Sequence, residues 1–241
     1  MQNFDIIIYI MSERIIKFKN SIYTVDALDE AGQSVVAEIF KHREYRQAET
    51  AIIEAKANEC ILDIGAHLGF FALYTRSLNP QAQIICLEPN KKNFEILKNN
   101  LKKNKIQNIV LLNMGLAADS GERQFSVSSD SHNSRMISVK NENIKHCVCK
   151  TISFSDLVAE CNIKIISLLK MDIEGAEFEI IENMNKDDFA LIKNIIFEYH
   201  NSVKNNHKKL EKILRERGFS VQIFPSKFDK KLGFIFAQNK K

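Results

Sequence analysis

No stretch of the 241-residue chain approaches the roughly 18 consecutive apolar residues of a membrane-spanning helix. The opening run FDIIIYIM is eight residues long, is bounded by Asp5 and Glu13, and lacks the basic lead-in of a signal peptide, so it reads as a strand. Neither sign of charge dominates: 34 Lys and Arg against 30 Asp and Glu give a net charge of +4, which carries no polyanion signal. The five cysteines are odd in number and show no paired spacing, which excludes a disulfide framework and points to a reducing, cytoplasmic setting. Cys147 and Cys149 alternate along a strand and read as small apolar fillers. There is no internal repeat and no low-complexity linker.

What is present is a chain with 45% hydrophobic residues, long enough to bury a sizeable core. Its apolar runs alternate between strand-like and helical periods, the βαβα pattern of a mostly parallel sheet. Strands are expected at 60–64, 83–88, 109–114, 165–171 and 194–200, with helices at 69–78, 91–104, 176–193 and 204–217. Ahead of them RIIKFKNSIYTVD reads as a hairpin, followed by helical segments around 34–42 and 46–57. The expected organisation is an N-terminal hairpin and helical cap over 1–57 and one compact catalytic unit over 58–241. Between Gly115 and Lys150 short alternating pieces predict a β-rich insertion with a polar tip at Ser128 to Arg135, where His132 is a candidate substrate contact. FSVQIF and LGFIFA predict a closing antiparallel hairpin. Lone His42, His146 and His207 read as solvated surface imidazoles.

In ILDIGAHLGFFAL, Asp63 ends a strand, Gly65 and Gly69 shape the turn, and an amphipathic helix follows. Gly65 lets the backbone approach a ligand without a Cβ in the way, and Gly69 opens a helix whose N–H groups can hold an anionic group. A dinucleotide site requires a second glycine where Ala66 and His67 stand, and Asp63 would repel a diphosphate. An acid suits a ligand with an amino group and a sulfonium, as in S-adenosylmethionine. Glu88, 25 residues past Asp63 and followed by Pro89, ends the next strand, where a carboxylate can accept both hydroxyls of a ribose.

The stretch LLKMDIEGAEFEII places Asp172 and Glu174 at the carboxyl edge of the sheet, where open α/β sheets bind ligands. Glu198 and His200 end the following strand. Were a donor such as S-adenosylmethionine to meet a neutral hydroxyl at this edge, a base would have to take its proton, and Asp172, Glu174 and His200 are the candidates. The two acids could instead hold a divalent metal through oxygen, although a metal-independent route is the expectation. Glu177 reads equally as a first-turn helix charge and as a functional acid, whereas Glu179 and Glu182 read as helix charges. Lys170 leaves the strand on the same face as Asp172 and either pairs with an acid or extends past the core to solvent.

With these residues in place, the segment from about Tyr45 to His200 resembles the FkbM family of methyltransferases. The resemblance is carried by ILDIGAHLGFFAL, LEPNKKNFEILKNN, IIFEYH and, most specifically, the pattern K-x-D-x-E-G-x-E at Lys170, Asp172, Glu174, Gly175 and Glu177. His67 and Lys91 depart from residues common in the family. The resemblance implies a Rossmann-like class I methyltransferase fold, mostly parallel with an antiparallel terminal strand. It also implies O-methylation of a sugar, glycan or secondary-metabolite hydroxyl from S-adenosylmethionine. The cofactor contacts implied are Asp63, Gly65, Ala66, His67, Gly69, Glu88, Pro89 and Asp172.

Two rival readings stand beside it. Eleven Lys or Arg against three Asp or Glu after His200 would suit an RNA methyltransferase. However, the cations space along one helix face, and no N-P-P-Y-type motif follows the fourth strand, so no nucleic-acid partner is expected. A catalytically silent binding module is the other rival.

Overall fold

The structure, a computed structural model, describes residues 6–10, 13–26, 30–127, 135–136, 145–173, 175–202, 205–226, 229 and 231–240. Its centre is a seven-stranded sheet. The strands are β4 (Cys60–Ile64), β5 (Gln83–Leu87), β6 (Ile109–Leu112), β11 (Ile166–Met171), β12 (Asn194–His200), β13 (Phe219–Pro225) and β14 (Leu232–Asn239). They lie in the order β13-β14-β12-β11-β4-β5-β6. β6, β5, β4, β11 and β12 run parallel, and β14 is antiparallel to both its neighbours. Every residue of β4 and β11 is buried, as expected of parallel strands covered on both faces. The chain builds outward from β4 through β5 to β6, then returns to β11 on β4's other side. The order therefore reverses between β4 and β11, and a crevice opens at their carboxyl ends.

Alternate residues of each strand feed different layers. Ile61, Leu168 and Ile196 join one core cluster with α3 (Phe70–Leu78), α4 (Lys91–Lys103) and the N-terminal elements. Leu62, Ile64, Leu169 and Met171 join the opposite cluster, with α5 (Phe154–Glu160), α6 (Glu177–Asn183), α7 (Lys186–Ala190) and α8 (His207–Glu216).

The N-terminal elements start with an antiparallel sheet of β1 (Ile6–Ile10), β2 (Glu13–Phe18) and β3 (Ser21–Asp26). Helix α4 completes the edge of β3. Asn104 accepts from Thr24 N at 2.9 Å and donates to Thr24 O at 2.8 Å, and Asn100 does the same for Asp26 at 2.8 and 3.2 Å. One helical turn apart, the two amides substitute for a neighbouring strand. Next come α1 (Glu30–Val36), a π-helical turn at Ala37–His42, a 3-10 turn at Arg46–Ala48 and α2 (Glu49–Ile53). Between the two turns Arg43 takes a left-handed conformation (φ 54). Its guanidinium reaches Glu49 at 2.5 Å, and Glu49 also accepts from the Tyr74 hydroxyl of α3. This pairing ties the cap to the main layer.

The expected insertion is a second sheet of β7 (Gly115–Leu116), β8 (Gly121–Val127), β9 (Arg135–Met136) and β10 (Lys145–Ile152), in the order β7-β10-β8-β9. His132 and most of the expected polar tip lie outside the described residues.

Two expectations are corrected, and one helix is added to them. The single helix over 176–193 is two, because Met184 turns extended and Asn185 starts α7 with a reciprocal cap against Asp188. The second cap helix stops at Ile53 rather than 57, and Asn79 Nδ2 takes the carbonyls of Ile52 and Ala55 at 3.0 Å each. Helix α5 was not expected at all, although Ser153 caps it by accepting from Asp156 N, an S-x-x-D start.

Candidate functional site

The turn after β4 occupies the reversal point. Gly65, His67 and Gly69 all have positive φ, at 75, 50 and 87°. Gly65 N and Ala66 N donate to Leu87 O at 3.0 and 2.9 Å, and Gly69 N closes onto Ala66 O at 2.8 Å. The turn is thus fastened to the end of β5 through its backbone. Asp172 N donates to Ile64 O at 3.1 Å, so the acid that follows β11 lies directly against the same turn.

Asp63 does not face the crevice. Its side chain is fully buried, and Oδ1 lies 3.0 Å from Lys170 Nζ, which is itself 4% exposed. Lys170 also donates to Gly65 O at 2.9 Å and stands 5.7 Å from the Phe71 ring centroid. Burial works against the ammonium, but the charges of Asp63 and Asp172 outweigh it and hold Lys170 above the ordinary lysine range. The expectation that Asp63 meets a ligand's amino group is therefore revised. Its carboxylate balances Lys170, and the pair braces the turn from beneath.

Glu88 is 5% exposed. Oε2 accepts from His67 N at 2.8 Å and Oε1 from Asn90 N at 2.9 Å, so this carboxylate joins the glycine turn to the start of α4. Each oxygen keeps a second acceptor direction for a hydroxyl. Burial pushes the carboxyl up to about 7, against the pull of the two backbone donors. Pro89 is half-buried, and its carbonyl and that of Glu88 share the Asn113 amide at 3.3 and 2.8 Å. Sequence reasoning did not include Asn113.

Asp172 is half-exposed, and its Oδ2 accepts from the Tyr45 hydroxyl at 3.0 Å. Lys170 and Ile196 are register partners, as are Met171 and Phe197, so Glu198 and His200 fall on the face of the sheet that carries Lys170 and Asp172. His200 Nε2 is 4.0 Å from Glu198 Oε2. Asp172, Glu198 and His200 thus share one edge, whereas Glu174 lies outside the described residues. Tyr45 and Glu44 were also missed by sequence reasoning. Burial raises the Tyr45 phenol well above its ordinary value, and the charges of Asp172 and Glu198 add to this. Glu44 is pushed up to about 7 by burial and by the charges of Glu38 and Asp172.

The remaining acids of the motif have local tasks. Buried Glu177 accepts from Ile173 N at 3.0 Å and closes the loop after β11. Glu179 receives Arg123 at 2.6 Å and Ala118 N at 3.2 Å, fastening the insertion to α6. Glu182 pairs with Lys209 at 2.6 Å. His42 is exposed as expected. His207 is not a solvated imidazole, because its ring stacks on Tyr199 at 4.5 Å and contacts Asn201. The side chain of His146 lies outside the described residues.

The crevice fits the cofactor that the resemblance implies. S-adenosylmethionine carries an ammonium, a sulfonium and a ribose diol. Asp172 presents a half-exposed carboxylate beside the turn, and Glu88 presents a second at the next strand end. The only lysine described at the turn, Lys170, already faces Asp63. Cationic and hydroxyl groups are therefore matched by acceptors.

Comparison with known proteins agrees. The profile of the methyltransferase FkbM domain matches residues 63–221. The chain is 24% identical to methyltransferase sdnD of Sordaria araneosa, over 83% of this chain and 86% of that one. It is 26% identical to the hexuronic acid methyltransferase AglP of Haloferax volcanii, over 78% and 76% of the two chains. With the 31-O-demethyl-FK506 methyltransferase FkbM of Streptomyces tacrolimicus the figures are 22%, 78% and 82%. Among solved structures, an rRNA methylase from Streptococcus thermophilus shares the fold, with a TM-score of 0.51 and 10% identity over 82% of this chain and 97% of that one. Sheet order, glycine turn and domain match concur: the chain belongs to the FkbM methyltransferase family and is an S-adenosylmethionine-dependent methyltransferase with a class I, Rossmann-like fold.

Proposed function

We propose that the chain methylates a hydroxyl of a small-molecule or glycan acceptor. The observation that carries this reading is the grouping of Asp172, after β11, with Glu198 and His200, at the end of β12, on one edge of the sheet beside the glycine turn. A neutral alcohol attacks well only as its proton leaves, and this edge supplies oxygen and imidazole acceptors for that proton. His200 suits the role by residue type, and the adjacent Glu198 carboxylate stabilises the imidazolium that forms on proton uptake. Asp172 stands closer to the turn and orients the cationic end of the cofactor or the acceptor hydroxyl.

The cofactor supplies an electrophilic methyl on a sulfonium. The chain's part is to align the acceptor in line with it and keep the crevice dry. Two relatives support the acceptor class by name only: the hexuronic acid methyltransferase AglP and the 31-O-demethyl-FK506 methyltransferase FkbM. The basic face of α8 offers little to a polyanion, since Lys209, Lys212 and Arg215 already meet Glu182, Glu216 and Glu211.

The test is transfer of radiolabelled methyl from S-adenosylmethionine to panels of glycans, polyhydroxylated metabolites and RNA. Label in a glycan or metabolite that survives mild alkali, as an ether does and a carboxyl ester does not, supports the reading. Label confined to RNA, or to an alkali-labile ester, overturns it.

A further inference from the structure

We propose that Tyr45, which precedes the matched FkbM domain, is a positioning residue that fixes the carboxylate of Asp172. This rests on the reading of Asp172 as the acid that meets the cofactor or acceptor. The two residues are 127 positions apart, yet the Tyr45 hydroxyl donates to Asp172 Oδ2 at 3.0 Å. Tyr45 is 4% exposed. Its ring meets Phe71 of α3 edge-on at 5.0 Å and Phe234 of β14 at 5.5 Å, so the phenol has little freedom to choose another acceptor.

A carboxylate rotates readily about its last torsion. A buried donor on one oxygen restricts that freedom and fixes the plane in which the other oxygen can accept. Lys170 adds a second constraint, with Nζ 5.9 Å from the Tyr45 ring centroid and its charge acting on Asp172. The backbone that delivers Tyr45 is itself fixed. Arg43 is left-handed, Glu44 N closes onto Glu38 O at 3.1 Å, and the Arg43–Glu49–Tyr74 contacts hold this segment on α3. The cap therefore reaches the reaction edge through one hydroxyl, and that hydroxyl sets the orientation of Asp172.

The test is calorimetric titration of S-adenosylhomocysteine into the full chain and into Tyr45→Phe, Asp172→Ala and the double variant. Phenylalanine keeps the ring contacts and removes only the hydroxyl. Loss of one such hydrogen bond predicts Kd raised about three- to tenfold in Tyr45→Phe, with no further weakening when the change is made in Asp172→Ala. A merely structural role predicts losses that add in the double variant, and that result overturns the proposal. Normal binding by Tyr45→Phe also overturns it while leaving the cofactor site intact. Absence of binding by the native chain removes the proposal and the reading of the site together. Should Tyr45→Phe fail to fold, ¹³C spectra of ring-labelled tyrosine in Asp172→Ala read the same bond. A shifted Tyr45 Cζ resonance supports the proposal, and an unmoved one overturns it.

Discussion

A Cβ added at Gly65 would drive into the backbone carbonyl oxygen of Asp172. The close approach exists because β4 and β11 are parallel neighbours whose ends turn the same way, with Asp172 N bonded to Ile64 O. Gly65 also sits at φ 75, a backbone region that costs other residues about 1–2 kcal/mol. Gly69 has a similar φ, but its added Cβ meets only side-chain atoms, the nearest being Leu97 Cγ at 3.3 Å. Gly65→Ala is therefore expected to lose at least tenfold in cofactor affinity, about 1.4 kcal/mol, or to unfold. Gly69→Ala should fold and bind with a smaller loss. Thermal melts and calorimetry of the two variants separate these outcomes, and equal behaviour would contradict the assigned packing.

The Asp63–Lys170 pair makes a different prediction. Both side chains are buried, so removing one leaves a charge without its partner in the interior. Lys170→Met is expected to cost about 3–5 kcal/mol in urea unfolding, and Asp63→Leu added to it should recover part of that loss. A single-variant cost below about 1 kcal/mol would place the pair in a far more solvated setting than its geometry describes.

Glu88 should give stability a measurable slope with pH. Burial raises its folded value to about 7, above the ordinary 4.5. Between those values the folded chain holds a proton that the unfolded chain has released. Stability from this group is thus highest below about pH 4.5 and falls as pH rises towards 7, by on the order of 3 kcal/mol at most. Glu44, also raised to about 7, adds a smaller change of the same sign from its half-buried position. Urea unfolding of the native chain and Glu88→Gln from pH 5 to 8 should show a flatter profile in the variant. Parallel profiles would count against a buried carboxyl at this position.

The acids of α6 should separate cleanly. Glu177→Ala removes a buried carboxylate and with it the acceptor of the half-buried Ile173 N–H, and is expected to cost about 1–3 kcal/mol. Arg123→Ala breaks a partly exposed contact with Glu179, worth about 0–1 kcal/mol. The second variant should leave the melting temperature nearly unchanged, and the pair of melts checks the ranking.

Much of this architecture was legible because its signals are local. CILDI, QIICL and ISLLKM are short, mostly apolar runs of the kind buried parallel strands require. The glycines announce a tight turn, and Glu88 stands at a strand end recognisable by its neighbours. What escaped depends on register between distant segments. Whether Lys170 meets Asp63 or Asp172 turns on which strands are adjacent, and the phenol at Tyr45 gives no local sign that it reaches an acid 127 residues away. Glu179 looks like an ordinary helix charge until β8 brings Arg123 beside it. The break at Asn185 was legible in principle, since Asn185 and Asp188 have capping-box spacing, but the apolar residues on both sides continue a helical period across it.

Calorimetric titration with S-adenosylhomocysteine asks whether the crevice between β4 and β11 seats S-adenosylmethionine with Glu88 as a ligand. The native chain and Glu88→Ala are compared, each with and without chelator. Micromolar binding by the native chain, unaffected by chelator and lost in the variant, is the expected result. Equal binding by the variant, or none by the native chain, would contradict it.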